Sequence, residues 1–278
     1  MNRLLAMFLT SMLLMVACQG NKNEKMTEQE PADSTDSLAT SAAAMEAVLE
    51  ANPLPKAADE LFDDFFFNFI DNRKLQRERI RFPLPVEKGK QTELLESGQW
   101  KTDRFFVNQG YYTLIFDNRK QMELMKDTAV AHVVVEKIFL DQKWVKQYVF
   151  EREQGLWMLT AIRHKHFSET ANASFLAFYS RFATDTVFQI QSLHDPVTFT
   201  GPDPDDDFKQ IEGVITPDTW LAFAPEMPAG MIYNIIYGKD YVESRRKIFL
   251  IRGIANGLEI EMEFSRQAGN WKLTTLNT

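Results

Sequence analysis

The sequence predicts an α+β protein made of two successive copies of one unit, each an N-terminal helix packed on a curved antiparallel sheet. Three observations carry this expectation. Phe62, Phe65, Phe66 and Phe69 recur at i, i+3, i+4 and i+7, the apolar stripe of an amphipathic helix. β-rich runs separated by turn residues follow it. The whole pattern then repeats. At an offset of 113 (175 − 62), Phe62, Phe65, Phe66, Phe69, Gln76 and Pro83 align with Phe175, Phe178, Tyr179, Phe182, Gln189 and Pro196. At an offset of 114 (264 − 150), FEREQGLWMLTAI (150–162) aligns with FSRQAGNWKLTTL (264–276), pairing Gly155 with Gly269 and Trp157 with Trp271. Matched blocks in the same order at nearly one spacing are the signature of a duplication. They place the two copies at 55–167 and 168–278.

In the first copy, Pro55 and the acidic Asp59 and Glu60 suit a helix start. A short strand is expected near 79–86, with prolines that bar a central place in a sheet. Strands then read at 111–116, 131–140, 144–151 and 156–164. The second copy gives 231–237, 246–254, 258–265 and 271–276, with Asn256-Gly257 and Ala268-Gly269 as hairpin turns. One helical stripe and several strands bury their apolar faces only against each other, hence a layered pair in each copy.

Composition excludes several classes. Of 278 residues, 45% are hydrophobic and 25% charged, which is globular rather than disordered or fibrous. The net charge of −8 opposes nucleic-acid binding. A single cysteine permits no intrachain disulfide and no cysteine-rich zinc site.

That cysteine ends the N-terminal segment MNRLLAMFLTSMLLMVAC. Arg3 is the positive region, and the apolar run from Leu4 to Val16 is shorter than the ~20 residues of a membrane-spanning helix. The ending Met15-Val16-Ala17-Cys18 resembles the bacterial lipobox, with Met15 where leucine is preferred. The resemblance implies cleavage of a signal peptide (1–17), acylation of Cys18 by diacylglyceryl and palmitate chains, and an exported lipoprotein on the periplasmic or cell-surface face of the outer membrane. Residues 18–54 are polar, then Ala-rich, and read as a tether.

A long helix, a curved antiparallel sheet and a final hairpin F-x-R-x-x-G-x-W-x-L-T resemble the cystatin-like cone. The arrangement resembles more closely the nuclear transport factor 2-like superfamily. With lipobox, tether and two such units, the chain resembles a family of Bacteroidetes lipoproteins of unknown function. The superfamily contains isomerase-like and dehydratase-like enzymes as well as non-catalytic binders.

Residues that could carry chemistry are few. The chain has four histidines. His164 and His166 share a strand face but lack a third ligand, so no metal and no cofactor are expected. Asp203, Asp205 and Asp207 lack the glycine and glutamate of a calcium loop and read as a solvated acidic insertion of the second copy. Hydrolase, phosphate-loop and dinucleotide motifs are absent from the sequence. Tyr111, Tyr112 and His132 are the side chains expected to line a cone and contact a ligand, and no catalytic residue is assigned. Residues matched between copies include no histidine and no strand carboxylate, so both interiors are expected to be apolar, without facing titratable pairs. The expected function is a lipid-anchored, non-catalytic binding or scaffold module for a protein, peptide or glycan. The alternative is an isomerase- or hydrolase-like enzyme using one cone.

Overall fold

The computed structural model describes residues 59–278 apart from 107, 108, 204 and 239–242. Cys18 and the tether lie outside the described residues.

The Phe stripe forms α1 (Phe62–Asp71), and all four rings are buried. Phe62 meets Trp157 edge-on at 5.0 Å and Phe150 at 5.3 Å between ring centroids. Asn72 breaks the helix and caps α2 (Arg73–Glu78), its side chain accepting the Lys74 and Leu75 amides at 3.0 Å. The second copy repeats this with α4 (Ala173–Phe182) and α5 (Thr186–Gln191). Asp185 caps α5 by accepting from the Phe188 amide at 2.9 Å. Asn72 and Asp185 stand at the same offset of 113 (185 − 72).

Twelve named strands form two six-stranded sheets. They are β1 (Leu84–Lys88), β2 (Gln91–Leu95), β3 (Tyr111–Phe116), β4 (His132–Phe139), β5 (Trp144–Glu153), β6 (Leu156–His166), β7 (Leu193–Asp203), β8 (Asp206–Ile215), β9 (Met231–Tyr237), β10 (Arg246–Gly253), β11 (Glu259–Gln267) and β12 (Asn270–Asn277). The remaining short helices are α3 (Arg119–Glu123) and α6 (Trp220–Phe223). One sheet runs β2-β1-β6-β5-β4-β9 and the other β3-β10-β11-β12-β7-β8. Each sheet therefore takes five strands from one copy and its sixth from the other. The sequence repeat divides at 167/168, but the sheets do not, and the described residues make one compact unit.

The exchange is reciprocal. β9 pairs antiparallel with β4, Tyr233 opposite Lys137, and β3 pairs antiparallel with β10, Thr113 opposite Ile251. Both exchanged strands are sheet edges, and buried unpaired backbone groups there would be costly. Side chains fill the gap. The Tyr233 amide donates to Thr113 Oγ1 at 3.1 Å, that hydroxyl donates to the Tyr233 carbonyl, and the Ile115 amide donates to Asn234 Oδ1 at 2.8 Å. Asn234 and Gln147 donate at 2.8 Å to the two oxygens of buried Glu136. Burial pushes that carboxyl above its ordinary pKa, only partly offset by these donors.

One expectation needs correction. β1 lies between β2 and β6, not at an edge. Its prolines are accommodated because the parallel pairing with β6 starts at Val86, beyond Pro83 and Pro85. The acidic segment lies at the far end of the β7–β8 hairpin, which takes the place of β1–β2 in the second sheet: Leu84 opposite Leu95 matches Val197 opposite Ile215, so the second hairpin is seven residues longer (18 − 11) and carries the expected insertion. The two final hairpins turn on Gln154-Gly155 (φ 52°, 84°) and Ala268-Gly269 (φ 47°, 88°). Positive φ at both central positions matches the twist of the flanking strands.

Candidate functional site

On β4 and β5, side chains alternate between faces. The helix-facing set begins with Val133, Val135, Tyr148 and Phe150, all in the core around the Phe stripe. The same face then turns polar: Lys137 stands opposite Lys146, one step along from Val135 opposite Tyr148. Over these residues lies the segment 100–106. Asp103 Oδ1 accepts from Lys137 Nζ at 2.7 Å, and Oδ2 accepts from Lys146 Nζ at 2.8 Å and from the Tyr148 hydroxyl. Lys137 also donates to the Arg104 carbonyl at 2.6 Å, and its ammonium sits 4.1 Å from the Phe105 ring centroid.

One carboxylate thus serves two ammonium groups and a phenol. Burial alone would raise the Asp103 pKa, but Lys137 and Lys146 outweigh it and hold the carboxyl below its usual value. Burial pulls Lys137 down and pushes the Tyr148 hydroxyl far up, so the phenol is a donor at neutral pH. Lys137 is nearly inaccessible, whereas the Asp103 side chain is 21% exposed and can be reached from solvent.

The next residues along this face make an aromatic shelf. Phe139 stacks on Trp144 at 4.3 Å and 8°, and Trp144 on His164 at 5.3 Å and 16°. A recess of about 390 Å³ beside it is lined by Lys88, Trp144, His164 and His166, among others. Burial, then Lys146 and Lys88, lower the His164 pKa, so the ring is neutral at pH 7.

The duplicate supplies an internal comparison. At the offset of 114, Lys137, Lys146 and Tyr148 correspond to Ile251, Ile260 and Met262. Strand register agrees: Ile251 stands opposite Ile260 and Phe249 opposite Met262. One backbone arrangement therefore holds three polar groups in the first copy and three apolar ones in the second.

The expectation of apolar interiors without facing titratable groups thus fails in the first copy, and in the second a buried Lys247–Asp117 pair at the start of α4 departs from it as well. Alternation hid Lys137 and Lys146 inside ordinary strand patterns, and Asp103 comes from an irregular segment far away in sequence. The one available signal was the replacement of matched aliphatic positions by lysine. The residues expected to contact ligand do not converge. Tyr112 is buried against Phe67 and Phe106, while Tyr111 is half-buried beside the second core. His132 lies on the face of β4 opposite Lys137, with Nδ1 2.7 Å from Glu151 Oε1.

The profile of a family described as "Domain of unknown function (DUF4348)" matches residues 41–278. The chain belongs to that family. The crystal structure of an NTF2-like protein from Bacteroides fragilis NCTC 9343 is 40% identical, with a TM-score of 0.72 over 81% of this chain and 98% of that one. The two-sheet α+β fold of this DUF4348 member is therefore NTF2-like. No curated protein matches.

Proposed function

We propose that this protein is a lipid-anchored envelope binding module, held to the outer membrane through Cys18, that receives its ligand on the helix-facing side of the first sheet. The observation that carries this reading is the contrast between the copies: Asp103, Lys137, Lys146 and Tyr148 form a polar cluster where the second copy has Ile251, Ile260 and Met262. Buried ion pairs seldom stabilise more than well-packed apolar residues of similar volume. Since the second copy fills the same positions with aliphatic side chains, stability does not account for the lysines. Recognition does, and the adjoining Phe139–Trp144–His164 shelf suits a peptide or glycan with a flat face.

Binding is favoured over catalysis because both lysine ammonium groups are engaged by Asp103 and the nearby His164 is not hydrogen-bonded to a carboxylate by any bond found among the described residues. The test compares the parent with a variant carrying Asp103→Ala, Lys137→Ile, Lys146→Ile and Tyr148→Met on arrays of acidic and neutral glycans and peptides. The parent retains acidic probes and the variant does not. Identical patterns from the two folded proteins would refute the reading.

A further inference from the structure

We propose that the Asp103 carboxylate is an internal stand-in for the anionic group of the ligand, and that the first sheet binds a carboxylate attached to a planar ring by displacing it. This rests on the binding role proposed above and adds the chemical class of the ligand and the means by which it enters.

The geometry of the cluster is that of an occupied anion site. Two ammonium groups and a phenol converge on one carboxylate, at 2.7 and 2.8 Å for the lysines. Asp103 reaches them from an irregular segment rather than from the sheet, and its side chain is 21% exposed against 9% for Lys137. A ring attached to an incoming carboxylate would meet the Phe139–Trp144 stack. That stack lies on the same face, two residues along each strand from Lys137 and Lys146, which is ~7 Å at the usual strand rise.

A second, independent observation concerns the cost of the present arrangement. In the second copy, Trp220 Nε1 donates to Gln189 Oε1 at 3.0 Å, a buried bond tying the segment before β9 to α5. Gln76 corresponds to Gln189, and Trp100 to Trp220 at the offset of 120 (220 − 100) that also relates Tyr111 to Met231. Yet Gln76 Oε1 and Trp100 Nε1 are both buried with no hydrogen-bond partner among the described residues. Gln76 Nε2 donates to the Asp103 carbonyl at 3.1 Å and to the Ile70 carbonyl at 3.4 Å. Three residues on, Phe106 adopts φ 53°, a left-handed conformation that is costly for a non-glycine residue. Holding Asp103 over the lysines therefore coincides with an unmade Gln–Trp bond and a strained backbone. A shift of residues 103–106 alone, with Trp100 staying beside α2, would let Trp100 bond Gln76 as Trp220 bonds Gln189, so ligand entry relieves what Asp103 imposes.

Benzoate, a carboxylate on a planar ring, is the probe, titrated into the full chain and followed by calorimetry and by the indole N–H resonances. Asp103→Ala should bind benzoate at least tenfold more tightly than the parent. Asp103→Asn, which keeps the side-chain shape, should do the same should the alanine variant not fold. Adding Lys137→Ile to either should abolish binding. In the parent, saturating benzoate should move the Trp100 N–H resonance toward the hydrogen-bonded position of Trp220. Equal affinity of parent and Asp103 variants, with Trp100 unmoved, would overturn the displacement and leave the binding role standing. No benzoate binding by the parent or any folded variant would overturn the ligand class. If the parent and the fourfold variant also gave identical array patterns, the binding role would fall with it.

Discussion

Replacing Trp157 by alanine tests whether the two copies fold as one cooperative body. Trp157 is 1% exposed and meets Phe62 edge-on at 5.0 Å. A buried indole removes roughly 150–250 Å² from water, which at about 25 cal/mol per Å² is worth about 4–6 kcal/mol. Its Nε1 is buried with no hydrogen-bond partner among the described residues, so truncation also removes an unsatisfied donor, worth about 1–3 kcal/mol in the opposite direction. The cavity left behind adds to the loss, and the net destabilisation should be ~3–5 kcal/mol. For a folded unit of this size each kcal/mol lowers Tm by about 2–4 °C, giving a fall of about 6–20 °C. The exchanged strands make a further demand. Because β3 completes the second sheet and β9 the first, the first core cannot melt without stripping an edge from the other. Calorimetry should therefore show one transition shifted as a whole. A new low-melting transition beside an unchanged upper one would refute the cooperative reasoning. A Tm within ~2 °C of the parent would refute the burial argument.

Other outcomes follow from the same geometry. Thr113→Val removes both hydrogen bonds by which β3 reaches the β9 backbone and should cost ~1–3 kcal/mol in denaturant unfolding, against no change if the edges met by apolar packing alone. Glu136 has its folded pKa raised by burial, so its favourable contribution is complete below the unfolded value of 4.5 and is lost as pH rises through the folded value. Glu136→Gln keeps the side-chain shape and one of the two acceptors that Gln147 and Asn234 use, without the buried charge. It should stand above the parent in stability at pH 7 and converge with it below about pH 4, whereas a constant gap across pH would count against a titrating Glu136. Cys18→Ser should remove the protein from the detergent phase of a membrane extract, and a lipid mass persisting on that variant would contradict the anchor.

The amino-acid sequence by itself determined the two Phe-stripe helices and most of the strands, but not β2, β7 and β8. The i, i+4, i+7 spacing of Phe62, Phe66 and Phe69 and the apolar runs of β4 and β10 are local properties, as are the glycine turns at Gly155 and Gly269. The duplication was equally legible, because matched Phe, Trp and Gly residues recur at fixed spacing. Which strand joins which sheet was not. β3 and β9 have equivalent patterns in equivalent places, so β4 and β10 offer each of them the same kind of partner. Only packing of both copies together decides that β9 goes to β4 and β3 to β10. The candidate site depended on the same step. Lys137 and Lys146 become a pair through cross-strand register, and Asp103 reaches them through an irregular segment that has no period to read. A chain's periodicity records which face a residue occupies, whereas the convergence of charges from separate elements exists only once the layers have closed.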